Sequence, residues 1–130
     1  MKQVLLDTNA YSNLLKGDKD IFDFLSFANK ILMSVIVLGE LYAGFRSGTK
    51  YNQNVKYLMD FMSDPDVNSI KITEETSEIF GDLKNELRKK GSPIPINDIW
   101  IAAQCIETGA VLMSYDKHFN LIPQVRLWNK

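Results

Sequence analysis

The chain has 130 residues, 45% of them hydrophobic and 24% charged, with 15 basic and 16 acidic side chains and a formal net charge of -1. These values fit one globular domain over residues 1–130 that removes roughly two-thirds of its extended surface from water, and they exclude a chain dominated by disorder. The balance also lacks the basic footprint usual in nucleic-acid binding, although a carboxylate cluster offset by a divalent cation would be hidden in such a total.

In chain order, Val4-Leu5-Leu6 is a continuous apolar run, the pattern of a strand buried on both faces of a parallel sheet, and Asp7 ends it. That run is too short for a signal peptide, and no stretch reaches the length of a membrane span, so a cytoplasmic protein with no membrane partner is expected. A short helical segment runs from Asp7-Thr8-Asn9 through Leu15 and stops at Gly17, and a second helix is expected from Asp20 to Asn29. Ile31 to Val35 reads as another buried strand, followed by a helix with Leu38, Leu41, Tyr42 and Phe45 at helical spacing. Tyr51, Val55, Leu58, Met59 and Met62 repeat the spacing over residues 50–62, and Asp64-Pro65-Asp66 breaks that helix.

Val67 to Ile72 is the third candidate strand. Thr73, with Glu75 or Thr76, opens a helix that runs through Lys90 and ends at Gly91. The prolines keep residues 92–96 extended, and Asn97 is the natural N-cap of a helix from Asp98 to Thr108, stopped by Gly109. Cys105 in that helix is the only cysteine, which excludes an internal disulfide and a multi-cysteine zinc site and leaves a buried structural thiol. Ala110 to Ser114 is the fourth buried strand, and Val125 to Trp128 supplies a short fifth. Strands separated by helices give an α/β class with a mostly parallel sheet of four or five strands.

In such sheets functional groups collect beyond the carboxyl ends of the strands. Asp7 directly follows the first strand, and Asp116 lies just beyond the one ending at Ser114. Glu40 stands about one turn into the helix after the second strand, and Asp98 lies in the first turn of a later helix. Taken singly, each has an ordinary reading: a turn former, an N-cap, a solvated helix residue, or a complement to the helix dipole. Together they can meet in one cleft. Glu40 and Asp98 also have small or apolar neighbours, where ionised carboxylates are costly unless paired.

No Lys or Arg lies close in sequence to Asp7, Glu40 or Asp98, so a cation is the economical partner. Carboxylate oxygens without His or Cys suit Mg²⁺ or Mn²⁺ rather than zinc. A water activated on such a cation can attack phosphorus while the cation steadies the developing charge. Without it the acids would repel, and some would hold protons near neutrality.

Four blocks of this sequence resemble those of PIN domains, in family order and across nearly the whole chain. They are Val4-Leu5-Leu6-Asp7-Thr8-Asn9, Ser34 to Gly44, Asn97 to Ala103, and Leu112 to Phe119, and their acids are Asp7, Glu40, Asp98 and Asp116. The resemblance implies a three-layer α/β/α fold and RNA cleavage by a metal-activated water. The four acids would hold Mg²⁺, with Mn²⁺ as a substitute, and Glu40 and Asp116 would bind directly or through water. The short form is similar to VapC toxins of bacterial toxin–antitoxin pairs. That similarity implies a homodimer, inhibited by a VapB-type antitoxin whose C-terminal segment covers the cleft.

Ser114 stands where that family often has Thr, and either hydroxyl can orient a water or ligand. Thr8 and Asn9 support Asp7, approach a phosphate, or cap the turn. His118, the only histidine, contacts phosphate or is an exposed loop residue, since no Gly-x-Ser-x-Gly elbow provides a serine triad for it. Arg46, with Lys50, Lys56, Arg88, Lys89 and Lys90, could line a rim that holds RNA backbone, although a solvated face explains most of them.

Competing readings fit less well. A haloacid dehalogenase-type phosphatase needs a second Asp two residues after the first, where this chain has Asn9. A receiver domain needs paired acids near the end of its first strand, for which Met1-Lys2 leaves no room. A catalytically silent RNA- or protein-binding module has no need of all four acids.

Overall fold

The computed structural model describes residues 2–129; Met1 and Lys130, the two ends of the expected domain, lie outside the described residues. The sheet has five strands in the order β3-β2-β1-β4-β5, and every pairing is parallel. The strands are β1 (Gln3–Leu6), β2 (Lys30–Ser34), β3 (Val67–Ile70), β4 (Val111–Met113) and β5 (Arg126–Leu127). The helices are α1 (Thr8–Leu15), α2 (Lys19–Leu25), α3 (Val35–Ser47), α4 (Tyr51–Met62), α5 (Glu74–Lys90) and α6 (Ile96–Thr108), with a 3-10 turn over Lys117–Leu121.

The apolar run at the start of the chain explains why β1 is central. Val4, Leu5 and Leu6 are fully buried, as a strand covered on both faces and both edges must be. The chain winds outward from β1 through β2 to β3, then crosses back to β4 on the other side of β1. Right-handed crossovers then put α1 to α4 on one face and α5 and α6 on the other, giving the expected three α/β/α layers. The winding direction reverses between β1 and β4. A crevice opens at such a switch point, outside the carboxyl ends of the two strands.

Local signals set most of the boundaries. Thr73 and Thr76 form a reciprocal capping box at the start of α5. Gly91 and Gly109 end α5 and α6 with left-handed backbone, at φ 66° and 73°. β3, β4 and β5 are each shorter than the sequence expectation, β3 stopping at Ile70 rather than Ile72, and three further boundaries differ for reasons visible in named contacts. First, α2 ends at Leu25 rather than Asn29, because the Ser26 hydroxyl turns back to the Asp23 carbonyl and Asn29 pairs with Lys2 beside β1. Second, α6 begins at Ile96, with Pro95 as its N-cap residue and no side-chain cap. The Pro95 carbonyl accepts from the Asp98 and Ile99 amides, so Asn97 sits inside the first turn and is not the cap. Third, β2 stops at Ser34, whose hydroxyl accepts from the Ile36 amide and starts α3, so Val35 belongs to the helix.

The apolar stripe of α4 is narrower than its spacing suggests: Leu58 is buried, whereas Met59 is 62% exposed. Cys105 is buried, and burial holds its thiol well above the ordinary range, consistent with a structural role. Among the described residues no helix is long and apolar enough to cross a membrane.

Candidate functional site

Four chain segments converge on a cleft of about 460 Å³ at the β1/β4 switch point. Asp7 and Asp116 approach it from the ends of β1 and β4, Glu40 from the second turn of α3, and Asp98 from the first turn of α6. Thr8, Asn9, Asn97 and His118 complete the polar lining, and Pro95, Ile96 and Ile101 supply an apolar side. None of these lining residues is a lysine or arginine.

Asp7 is held most firmly. Its side chain is the N-cap of α1, and Oδ1 accepts from the Ala10 amide at 2.8 Å. Oδ2 accepts from the Ser114 hydroxyl, and the same hydroxyl oxygen accepts from the Asp116 amide at 2.9 Å. Ser114 therefore ties the end of β1 to the end of β4. Burial pushes the Asp7 carboxyl up to about 6, against the lowering effect of its two hydrogen bonds, and the nearby Asp98 and Asp116 charges add to the rise.

Glu40 accepts from the Thr8 hydroxyl at 2.7 Å through Oε1, and Asn97 Nδ2 stands 3.4 Å from Oε2. Thr8 thus supports Glu40, not the adjacent Asp7. The earlier start of α6 gives Asn97 this position; as an N-cap it would have been occupied with the helix backbone. Asn9 is exposed and lines the cleft.

Asp98 and Asp116 share a partner. His118 Nδ1 lies 3.0 Å from Asp98 Oδ2 and 3.0 Å from Asp116 Oδ1. Burial raises the Asp98 carboxyl above its ordinary range, and the His118 hydrogen bond acts in the opposite direction. Asp116 also caps the 3-10 turn, with Oδ1 accepting from the His118 amide at 2.9 Å. The sequence reading of a donor set without histidine is corrected here: His118 points inward and lies against two of the four acids. The Asp-x-His spacing was the available signal, because a residue two positions beyond the strand-end acid stays within its reach.

Arg46 does not line the cleft. It lies in the last turn of α3, with its guanidinium 3.8 Å from the centre of the Tyr51 ring. Lys50, Lys56, Arg88, Lys89 and Lys90 are likewise exposed and absent from the lining. One supporting residue was not expected from the sequence. Trp128 donates its indole N–H to the Ser114 carbonyl at 3.0 Å, and it packs edge-on against Phe24 and Tyr115.

The arrangement can concentrate negative charge in a partly desolvated crevice whose lining holds no lysine or arginine. The donor atoms of Asp98, Asp116 and His118 lie close enough together to fit one divalent cation, and Asp7 and Glu40 line the same cleft outside that group.

The sequence and the fold both resemble known proteins. The sequence matches the family model of the PIN domain over residues 4–124. It is 32% identical to Ribonuclease VapC2 of Rickettsia felis, covering 97% of this chain and 98% of that protein. It is 29% identical to Ribonuclease VapC1 of Haemophilus influenzae strain R2866, with the same coverage. Among solved structures, VapBC2 from Rickettsia felis bound to a promoter DNA fragment superposes with a TM-score of 0.86 at 30% identity, over 96% of both chains. VapBC-1 from nontypeable Haemophilus influenzae superposes at 0.87 and 29% identity, over 98% of this chain and 99% of the other.

Proposed function

The chain belongs to the PIN-domain family, and from that premise we propose that it is a metal-dependent endoribonuclease, the toxin of a VapBC-type toxin–antitoxin pair. Relatives named ribonucleases, aligned over nearly their whole length, support RNA as the substrate. Superposition on VapBC complexes supports a VapB-type antitoxin as partner, and the same reading takes the whole chain as one domain that pairs as a homodimer. The observation that carries the catalytic reading is the cleft itself: Asp7, Glu40, Asp98 and Asp116 face one another with no lysine or arginine among its lining. A polyanionic backbone is repelled by such a surface unless a cation stands between them.

Asp98, Asp116, Glu40 and Asp7 would hold Mg²⁺ or Mn²⁺. The ion would neutralise the approaching phosphate, make a water acidic enough to serve as nucleophile, and stabilise the charge that develops at phosphorus. The protein's own task is orientation. Ser114 and the Ala10 amide fix both oxygens of Asp7, and Thr8 and Asn97 fix Glu40, so neither carboxylate has to reorganise as charge builds. Asn9 and Asn97, at the mouth, offer amide donors to the phosphates flanking the scissile bond.

The test is cleavage of cellular RNA by purified, antitoxin-free protein supplied with Mg²⁺ or Mn²⁺. Asp98→Asn should lower the rate by about a hundredfold or more, the scale for removing a charge-stabilising group, with the fold intact by circular dichroism. Undiminished cleavage in excess EDTA would refute the metal dependence. Failure to cut any RNA with either cation would leave a binding module instead.

A further inference from the structure

The tightest group of donor atoms in the cleft includes a nitrogen. His118 Nδ1 is 3.0 Å from one oxygen of Asp98 and 3.0 Å from one oxygen of Asp116, and the three donor atoms all lie within 4.8 Å of one another. Neighbouring donors around an octahedral cation with bonds near 2.1 Å stand about 3.0 Å apart. Two edges of such a coordination shell are therefore already spanned by the imidazole and the two carboxylates. The ring is held there by its own backbone, because the His118 amide donates to Asp116 at the start of the 3-10 turn.

We propose that His118 is a cation ligand through Nδ1, alongside Asp98 and Asp116, and that this nitrogen makes the site select first-row transition cations such as Mn²⁺ and Co²⁺ over Mg²⁺. The inference rests on the metal-dependent reading of the cleft and adds to it a choice of metal. Mg²⁺ prefers oxygen donors and gives up its waters reluctantly, so an imidazole in the first shell gains it little. Mn²⁺ and, more strongly, Co²⁺ accept imidazole, and their affinity for mixed nitrogen and oxygen sites rises along the Irving–Williams order. Ligation through Nδ1 uses the tautomer that carries its proton on Nε2.

Calorimetric titration of the purified chain with MnCl₂, CoCl₂ and MgCl₂ tests the proposal, with pulsed electron paramagnetic resonance of the Mn²⁺-loaded protein as a second readout. Wild type should bind Mn²⁺ at least about tenfold more tightly than Mg²⁺, and His118→Ala should remove about tenfold or more of the Mn²⁺ and Co²⁺ affinity while Mg²⁺ changes little. The resonance spectrum should show coupling to a ¹⁴N nucleus that vanishes in the variant. Equal losses for Mg²⁺ and Mn²⁺ would overturn the proposal and make His118 a residue that positions the acids. Unchanged affinities without nitrogen coupling would overturn it as well. In both cases cation binding persists and the nuclease reading stands; absence of any cation binding in wild type would remove that reading too.

Discussion

Replacing Asp7 with asparagine should make the cation-free protein more stable while abolishing RNA cleavage. Asp7 is only 5% exposed, and burial pushes its carboxyl from an ordinary 3.8 to about 6. An acid whose folded-state pKa is raised costs nothing below its unfolded value. The cost grows between pH 3.8 and about 6 and is fully present above that range. At about 1.36 kcal/mol per pH unit, the full cost is roughly 3 kcal/mol. Asparagine carries no charge and its Oδ1 can still accept from the Ala10 amide, but its amide group must now donate to the Ser114 oxygen. That leaves the Ser114 hydroxyl proton to find another acceptor, at roughly 1–2 kcal/mol.

The net gain at pH 7.5 is then about 1–2 kcal/mol, which for a domain of this length raises the melting temperature by about 4–7 °C. Thermal melts followed by circular dichroism in EDTA at pH 7.5 and pH 5 are the assay. The advantage of Asp7→Asn should fade by pH 5, where about half the wild-type cost is gone, and saturating Mn²⁺ should reverse the order. A variant that melts below wild type in EDTA at pH 7.5, or a gap unaffected by acid, would refute the reasoning.

Two further outcomes follow from individual contacts. Thr8→Val keeps the side-chain volume but removes the donor to Glu40; RNA cleavage should fall by about tenfold or more with the melting temperature little changed, and Thr8→Ser should restore it. Thr73→Ala breaks the capping box of α5 and its hydrogen bond to Glu107; urea unfolding should show a loss of about 1–2 kcal/mol with cleavage unaffected.

What could be read from the sequence was what neighbouring residues decide. The buried β1, the Gly91 and Gly109 helix stops and the start of α5 at Thr73 depend on local backbone preference and apolar runs, and the structure has them where they were expected. The strand-end acids reach the same cleft because the sheet is parallel, which also follows from the alternation of strands and helices. Contacts remote in sequence were hidden. Asn29 leaves α2 to pair with Lys2, Asn97 yields the cap to Pro95 and faces Glu40, and Trp128 reaches the carbonyl of Ser114. Periodicity could not show which way the His118 ring points either, since a 3-10 turn of this length has no repeating face.

The bond between Asp7 and Ser114 spans 107 positions of the chain. A ribosome adding 5–20 residues per second therefore makes the first of these side chains roughly 5–20 s before the second. Throughout that interval the nascent chain carries Asp7 and then Glu40 and Asp98, yet β4 is missing and the crevice has only one wall. A polypeptide released early, anywhere before Ser114, never acquires the second wall. The fold thus delays completion of the cleft until β4 and Ser114 have been made, long after Asp7, Glu40 and Asp98.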